Sequence, residues 1–457
     1  MLYRRMIETK LPVPRAILVG VQLPDIDDNA QSASFHELTR LVETLGYKVV
    51  GTLSQRLDGI GAATLFGKGK LSELAAITGG TGVIGSLATK LVSKARKRFE
   101  ENKETPTHPP VENDETPERP DYVIVDHEIS PSQARNLERA TGARVLDRTG
   151  VIVEIFHRHA NTREAKLQVE MARLKYVSPR LRESTMGAGR QQGVGSGETS
   201  LELDRRKIRD RIAELKTMLE TVQKDGDQRR FARSGELRVA LVGYTNAGKS
   251  SLMRALTASN VLVEDKLFAT LDTTVRALQP ETKPRILVSD TVGFIKQLPH
   301  DLVASFRSTL SEAENASLLL FVVDASDPTY EAQLKVTRSV LHEIGADKAP
   351  SKLILNKIDC LETDELENLK RKHPEAIFLS SRSPEDVSTL RDIIVEFFEQ
   401  TMVDDTITVA YKSEKILGDI YEAVRVLSQD YTETGRLVRV RGLPDSILKL
   451  KKSLKLC

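Results

Sequence analysis

Val239-Ala240-Leu241-Val242-Gly243-Tyr244-Thr245-Asn246-Ala247-Gly248-Lys249-Ser250-Ser251 is an apolar run that breaks into the spacing G-x-x-x-x-G-K-S. Amphipathic Leu252-Met253-Arg254-Ala255-Leu256 follows. The order is strand, loop, helix, which is the context a phosphate-binding loop requires. Glycines let backbone N–H groups turn toward phosphate oxygens where a side chain would block them. The helix N-terminus adds partial positive charge. The segment Gly243 to Ser251 is therefore expected to cradle a nucleotide. Lys249 is placed to reach the β- and γ-phosphates and the Ser250 hydroxyl to ligate Mg²⁺. The plain alternative is a chance Gly-rich turn between a strand and a helix.

Three later stretches argue against chance. Ile286-Leu287-Val288-Ser289-Asp290-Thr291-Val292-Gly293 is a strand ending at Asp290, which could hold Mg²⁺ through water, with Gly293 free to offer its N–H to a γ-phosphate. Leu353-Ile354-Leu355-Asn356-Lys357-Ile358-Asp359 repeats the form. Asp359 can accept from the N1–H and the exocyclic amine of guanine, an arrangement adenine lacks. Phe378-Leu379-Ser380-Ser381-Arg382 fits a loop whose backbone meets the guanine carbonyl. In this order, each after an apolar strand, the four resemble the GTPases built on a Ras-like domain. That resemblance implies GTP and GDP as ligands.

At 457 residues the chain has room for about three domains. Charged residues are 29% but the net charge is only +2, so any nucleic-acid contact must come from local clusters. Two cysteines far apart, Cys360 and Cys457, argue against a disulfide scaffold or structural zinc and suit a reducing cytoplasm. The longest apolar run, Leu318 to Val323, is too short to span a bilayer. Met1-Leu2-Tyr3-Arg4-Arg5 has charge but no apolar core after it, so no secretory signal is expected. Nor does Cys457 stand in a prenylation pattern.

The N-terminal part reads as α/β. Ala16–Val21 and Tyr47–Leu53 are apolar runs, with Phe35, Leu38, Leu41, Val42 and Leu45 at helical spacing between them, a βαβ unit and hence a parallel sheet. Thr64-Leu65-Phe66-Gly67-Lys68-Gly69-Lys70 is either a tight turn with a basic edge or a second nucleotide site. Residues 80–120 read as an insertion. Leu87, Leu91, Val92, Ala95 and Phe99 form one helical face ringed by lysine and arginine, a solvated surface or an RNA contact. The proline-rich acidic stretch after it is expected to be disordered. Strands are expected at Tyr122–Asp126 and Arg144–Asp147, with a helix from Pro131 to about Ala140.

Two long helical patterns follow. The first holds Leu167, Met171, Leu174 and Val177 and stops at Pro179. The second, from about Ser200 to Gln223, carries Ile208, Ile212, Leu215, Leu219 and Val222 at spacings of four and three, a coiled-coil seam, with Thr199 and Glu202 as a capping box. Between them, Met186 to Gly197 has five glycines and one arginine: a loose connector, or a tip that presses backbone against a partner. Lys449, Lys451, Lys452 and Lys455 alternate with leucines near the C-terminus, again a solvated face or an RNA contact.

Asp147-Arg148-Thr149-Gly150, Lys166-Leu167-Gln168-Val169-Glu170, Gly197-Glu198-Thr199, Asp204-Arg205-Arg206 and Leu267-Phe268-Ala269-Thr270-Leu271-Asp272 together look like the HflX family, translation-associated GTPases near the Obg group. The resemblance spans most of residues 15–400. It implies an N-terminal α/β domain (1–158), a two-helix antiparallel coiled-coil hairpin with a Gly-rich tip (159–235), a Ras-like P-loop GTPase domain (236–402) and a small C-terminal α+β domain (403–457). It also implies a monomer that binds the large ribosomal subunit, pushes the hairpin tip toward rRNA near the peptidyl-transferase centre and helps split stalled ribosomes. Thr270 is the residue implied to ligate Mg²⁺ from the first switch in the GTP state, which with Lys249 and Gly293 completes the catalytic set; the plain reading is a loop threonine. Asn246 resembles the residue that binds potassium in related GTPases.

The chain departs from that family in a longer insertion at 80–120, in Gly195-Ser196-Gly197 where Arg and Pro are common, in Thr273 where proline is usual, and in Ser381 where alanine is usual. Many Ras-like GTPases carry a glutamine after the glycine equivalent to Gly293; here Phe294 stands there and cannot orient water. Hydrolysis is therefore expected to be slow without a partner. Competing readings are a GTP-dependent switch in ribosome assembly or another RNA process, and a protein-interaction switch acting through the coiled coil.

Overall fold

The computed structural model describes residues 13–59, 61, 63–84, 119–181, 200–232, 236–259, 267–268, 273–296, 312–411 and 415–455. The basic helix and acidic stretch expected within 85–118, the Gly-rich tip and Thr270 lie outside them. The chain divides into two compact units, one ending at Ile155 and one beginning at Phe156. The division falls just before the boundary at 158 read from sequence, within one continuous helix, Arg148–His159. The hairpin, GTPase and C-terminal segments read as three domains cluster in a single unit.

In the first unit, β1 (Arg15–Gln22), β2 (Lys48–Arg56), β3 (Tyr122–Val125) and β4 (Arg144–Asp147) form a sheet in the order β2-β1-β3-β4. All its pairings are parallel. Ala16 to Val21 is buried without alternation, as a central strand covered on both faces must be. Helix Asp28–Thr44 starts where the Asp27 carboxylate accepts the Ala30 N–H at 2.6 Å, and it buries Leu38, Leu41 and Val42. Helix Pro131–Thr141 begins with a capping box between Ser130 and Gln133, proline in its first turn, and ends at left-handed Gly142. Gly67 caps helix Lys68–Thr78, and Lys70 pairs with Glu73 at 3.0 Å, so the Gly-Lys-Gly-Lys stretch is a helix-starting turn.

Arg148, from the family-like Asp-Arg-Thr-Gly stretch, is buried against Asp126 at 2.9 Å and also bonds Glu37. Asp147 accepts the Gly150 N–H at 2.8 Å and starts the next helix. Removing one partner of a buried ion pair strands the other charge. Arg148→Met should therefore lose about 3–5 kcal/mol in urea unfolding. The triple variant Arg148→Met/Asp126→Asn/Glu37→Gln should recover much of that loss, and an equal deficit in it would show that packing of the arginine stem, not charge pairing, matters.

In the second unit, helices Arg163–Val177 and Ser200–Ala232 pack on each other, with Arg211 Nε 2.9 Å from Glu170 Oε1. The second helix runs nine residues past the expected Gln223. Leu215 and Leu219 of its seam are buried and Ile208, Ile212 and Val222 half-buried. The first helix differs from expectation. Ala165, Gln168, Val169 and Ala172 are its buried residues, whereas Leu167, Met171 and Leu174 are only half-buried and Val177 is exposed. Helical spacing puts these two sets on opposite faces, and Glu170, which meets Arg211 of the second helix, lies on the side of Leu167 and Leu174.

The GTPase part holds β5 (Leu237–Gly243), β6 (Thr274–Ala277), β7 (Ile286–Asp290), β8 (Leu318–Asp324), β9 (Ser351–Asn356) and β10 (Ile377–Phe378), in the order β10-β9-β8-β5-β7-β6. All neighbours are parallel except antiparallel β6. Helices Lys249–Thr257 and Pro384–Glu399 cover the core with Leu252, Met253, Leu256, Leu390, Ile394 and Phe398. After it, β11 (Val403–Ala410), β12 (Arg425–Thr432) and β13 (Gly435–Gly442) form an antiparallel sheet in the order β11-β13-β12. Helices Lys415–Ala423 and Pro444–Lys455 join it in one apolar cluster that includes Ile407, Val409, Ile420, Val438, Val440 and Ile447. Among the described residues no helix is long and apolar enough to cross a membrane.

Candidate nucleotide site

β5, β7, β8, β9 and β10 run parallel, so their carboxyl ends share one edge of the sheet. The four polar loops read as nucleotide-binding leave that edge, where ligands of open α/β sheets bind. Gly243 ends β5, Asp290 ends β7, Asn356 ends β9, and Leu379–Arg382 follow β10. Gly248 precedes helix Lys249–Thr257 with φ +96°, and a Cβ on it would lie 2.1 Å from Asn356 Nδ2. Only glycine fits that turn.

Lys249 is buried, with Nζ donating to the carbonyls of Gly243 at 3.0 Å and Tyr244 at 2.8 Å. Burial pulls its pKa down to about 8, partly opposed by the charge of Asp290. Burial likewise pushes Asp290 up, opposed by Lys249 and by the Ser250 hydroxyl, which donates to Asp290 Oδ2 at 2.6 Å. Asp290 Oδ1 is buried without a hydrogen-bond partner among the described residues. An orphaned carboxylate oxygen beside a hydroxyl is a hard-oxygen donor set that suits Mg²⁺. Thr291 is tied to the Leu241 carbonyl at 2.8 Å, Val292 and Gly293 are buried after it, and Ser251 is half-buried in the first helical turn.

Asn356 knits the site together. Its side chain donates to the Ala247 carbonyl at 2.8 Å and accepts from the Ser381 N–H at 3.0 Å. It is wholly buried, so both bonds are shielded from water. Lys357, left-handed at φ +65°, reaches Asp324 Oδ2 at 2.6 Å. Asp359 sits in the short turn Ile358–Cys360, 3.8 Å from the exposed Arg382. The Ser380 N–H donates to Asp386 Oδ2 at 2.7 Å, and its hydroxyl accepts the Arg382 N–H at 3.3 Å. Asn246 is also left-handed, at φ +60°.

Comparison with known proteins agrees with this arrangement. A family model described as "50S ribosome-binding GTPase" matches residues 238–357, "GTP-binding GTPase Middle Region" matches 159–233, and "GTP-binding GTPase N-terminal" matches 32–91 and 111–157. "GTPase HflX" of Gluconacetobacter diazotrophicus is 69% identical over 98% of this chain and 99% of its own. The chain belongs to the HflX family of GTPases. It is thus a GTP-hydrolysing enzyme with a P-loop GTPase domain. The HflX relative from Caldanaerobacter subterraneus is 37% identical over 93% of this chain and 90% of its own. A crystal structure titled as a GTP-binding protein from Sulfolobus solfataricus in complex with GDP is 23% identical, covering 84% of this chain and 98% of that one, with a TM-score of 0.41.

Two supporting residues of this HflX-family site, Asp324 and Asp386, are not evident from motif reading. Asp324 ends β8 at the same edge, and its signal is another apolar run closing on a carboxylate. Asp386 lies one turn into a helix and carries no motif. Phe268, left-handed at φ +58°, buries its ring edge-on against Phe156 with centroids 4.6 Å apart, which anchors the stretch just before Thr270.

Proposed function

We propose that this GTPase is a ribosome-associated factor that binds the large ribosomal subunit and, with GTP, splits or rescues stalled ribosomes. The observation that carries the reading is the meeting of the nucleotide loops at one sheet edge, with Gly243 to Ser251, Asp290 to Gly293 and Asn356-Lys357 inside the stretch matched by the 50S ribosome-binding family model. In this proposal Gly243 to Ser251 cradle the phosphates. Lys249 turns from the Gly243 and Tyr244 carbonyls to share its charge with the β- and γ-phosphates. Asn356 holds the phosphate loop against Ser381. Asp359 reads guanine, while Lys357, Ser380, Ser381 and Arg382 frame the base.

Ser250, Thr270 and, through water, Asp290 would hold Mg²⁺. When bound, that ion neutralises charge developing between the β- and γ-phosphates. Gly293 presents its N–H to the γ-phosphate and so couples the following segment to the presence of GTP. Phe294 supplies no hydrogen bond to water, so turnover is slow until a partner completes the site. Potassium beside Asn246 would add positive charge at the transferring phosphate.

The domain division at 158, 235 and 402, the antiparallel coiled-coil arrangement of the hairpin, its tip reaching rRNA near the peptidyl-transferase centre, a monomeric state and a cytoplasmic location complete the proposal. The test is GTP turnover with and without purified large subunits, for the wild type and Lys249→Ala. Strong stimulation of the wild type alone is expected, with loss of 70S particles in sedimentation. Sound GTP binding without stimulation would direct the search to another RNA. Equal stimulated rates in sodium and potassium would remove the potassium role.

A further inference from the structure

The start of the phosphate loop is clasped to the segment after Asp290. The Thr245 N–H donates to the Phe294 carbonyl at 2.8 Å, and the Phe294 N–H to the Gly243 carbonyl at 3.1 Å. Tyr244 and Phe294 thereby pair as an isolated parallel bridge, and the Tyr244 hydroxyl accepts the Lys296 N–H at 2.6 Å. The fit at Gly293 is close: a Cβ there would lie 2.8 Å from Thr245 Cγ2 and 2.9 Å from its Cα. The Thr245 side chain therefore stands directly against the residue that faces the γ-phosphate in the functional reading above.

Thr245 is 6% exposed, and its hydroxyl has no hydrogen-bond partner among the described residues. Buried hydroxyls are nearly always satisfied, so this one stands open to a partner that arrives with water or with the ligand. Phe294, 1% exposed, has no polar atom to offer water in the place where related GTPases carry a glutamine. One group in the clasp is thus surplus to the fold, and one function lacks a group.

We propose that the Thr245 hydroxyl is a catalytic group of this GTPase, accepting a hydrogen bond from the attacking water and donating one to a γ-phosphate oxygen. Water oxygen forms the new bond to the γ-phosphorus. The bond from that phosphorus to the bridging oxygen breaks, and its electron pair leaves with GDP. The water proton passes to a γ-phosphate oxygen, and Thr245 keeps its own. The clasp from Gly243 to Lys296 holds the hydroxyl in register with Gly293. The inference rests on Gly293 lying at the γ-phosphate.

Single-turnover GTP hydrolysis, with affinities for GDP and a non-hydrolysable GTP analogue, tests it. Thr245→Val keeps the shape and removes the hydroxyl, and should slow hydrolysis about tenfold to a hundredfold, well beyond any loss of GDP affinity. Thr245→Ser keeps the hydroxyl and should retain the rate within about threefold. A wild-type rate in Thr245→Val overturns the proposal. So does a serine variant as slow as valine, since the methyl against Gly293 would then be what matters, and so does a parallel loss of GDP affinity. Gly293→Ala tests the premise separately. It should erase the preference for the GTP analogue over GDP, and a preserved preference would refute the placement of Gly293 whatever Thr245 does.

Discussion

Lys249→Met should abolish GTP hydrolysis and at the same time stabilise the nucleotide-free protein. The catalytic loss is expected to be on the order of a thousandfold, because no other described cation replaces this charge at the phosphates. The stabilisation follows from burial. Lys249 drops from an ordinary value of 10.5 to about 8, which corresponds to roughly 3 kcal/mol of penalty for holding it charged at neutral pH. Methionine forfeits two carbonyl hydrogen bonds, each worth about 1 kcal/mol, so a net gain of about 1 kcal/mol remains.

The pH dependence has a definite sign. Between pH 8 and 10.5 the unfolded chain keeps the lysine proton while the folded chain releases it, so wild-type stability rises with pH across that window relative to the variant. Urea unfolding of both proteins without nucleotide should show a constant advantage for Lys249→Met below pH 8 that shrinks above it. A less stable variant at pH 7, or a pH-independent gap, would mean that the lysine is well solvated in the empty loop. Excess GTP should reverse the order, since only the wild type binds it.

Asp359→Asn should exchange guanine for xanthine. The Asp359 carboxylate can accept from both the N1–H and the exocyclic amine, two charge-assisted bonds. Asparagine must set an N–H against one of these donors and leave it unpaired. The expected cost is about 4 kcal/mol, or a thousandfold in GTP affinity. Xanthine has a carbonyl where guanine has the amine, so the same N–H finds an acceptor, and xanthosine triphosphate should become the better substrate. Competition titrations of both nucleotides against both proteins give the answer. A fall in GTP affinity with no gain for xanthosine triphosphate would reassign Asp359 to holding Arg382, 3.8 Å away.

Much of this site was legible because nucleotide loops are local. The stretch from Gly243 to Ser251 carries its own strand, turn and helix, and the turn at Gly248 excludes every side chain but hydrogen. The runs ending at Asp290 and Asn356 were readable for the same reason. The helix from Ser200 was legible by its spacing, and Leu215 and Leu219, two of its five periodic apolar residues, are buried. Its partner was legible as a helix ending before Pro179, but not in its burial, which falls on Ala165, Gln168, Val169 and Ala172, two of them weak in any hydropathy pattern.

Read alone, the residues carry the α/β class, the strand–loop–helix form of the phosphate loop and the family resemblance, because each resides in a few consecutive residues whose chemistry does not depend on the rest of the chain. Tertiary structure alone decided which distant groups meet. Asn356 bridges Ala247 and Ser381, Arg148 finds Asp126 and Glu37, and Thr245 comes to rest beside Gly293 with its hydroxyl unsatisfied among the described residues. Strand order and side-chain burial set these contacts, and neither is written in local spacing.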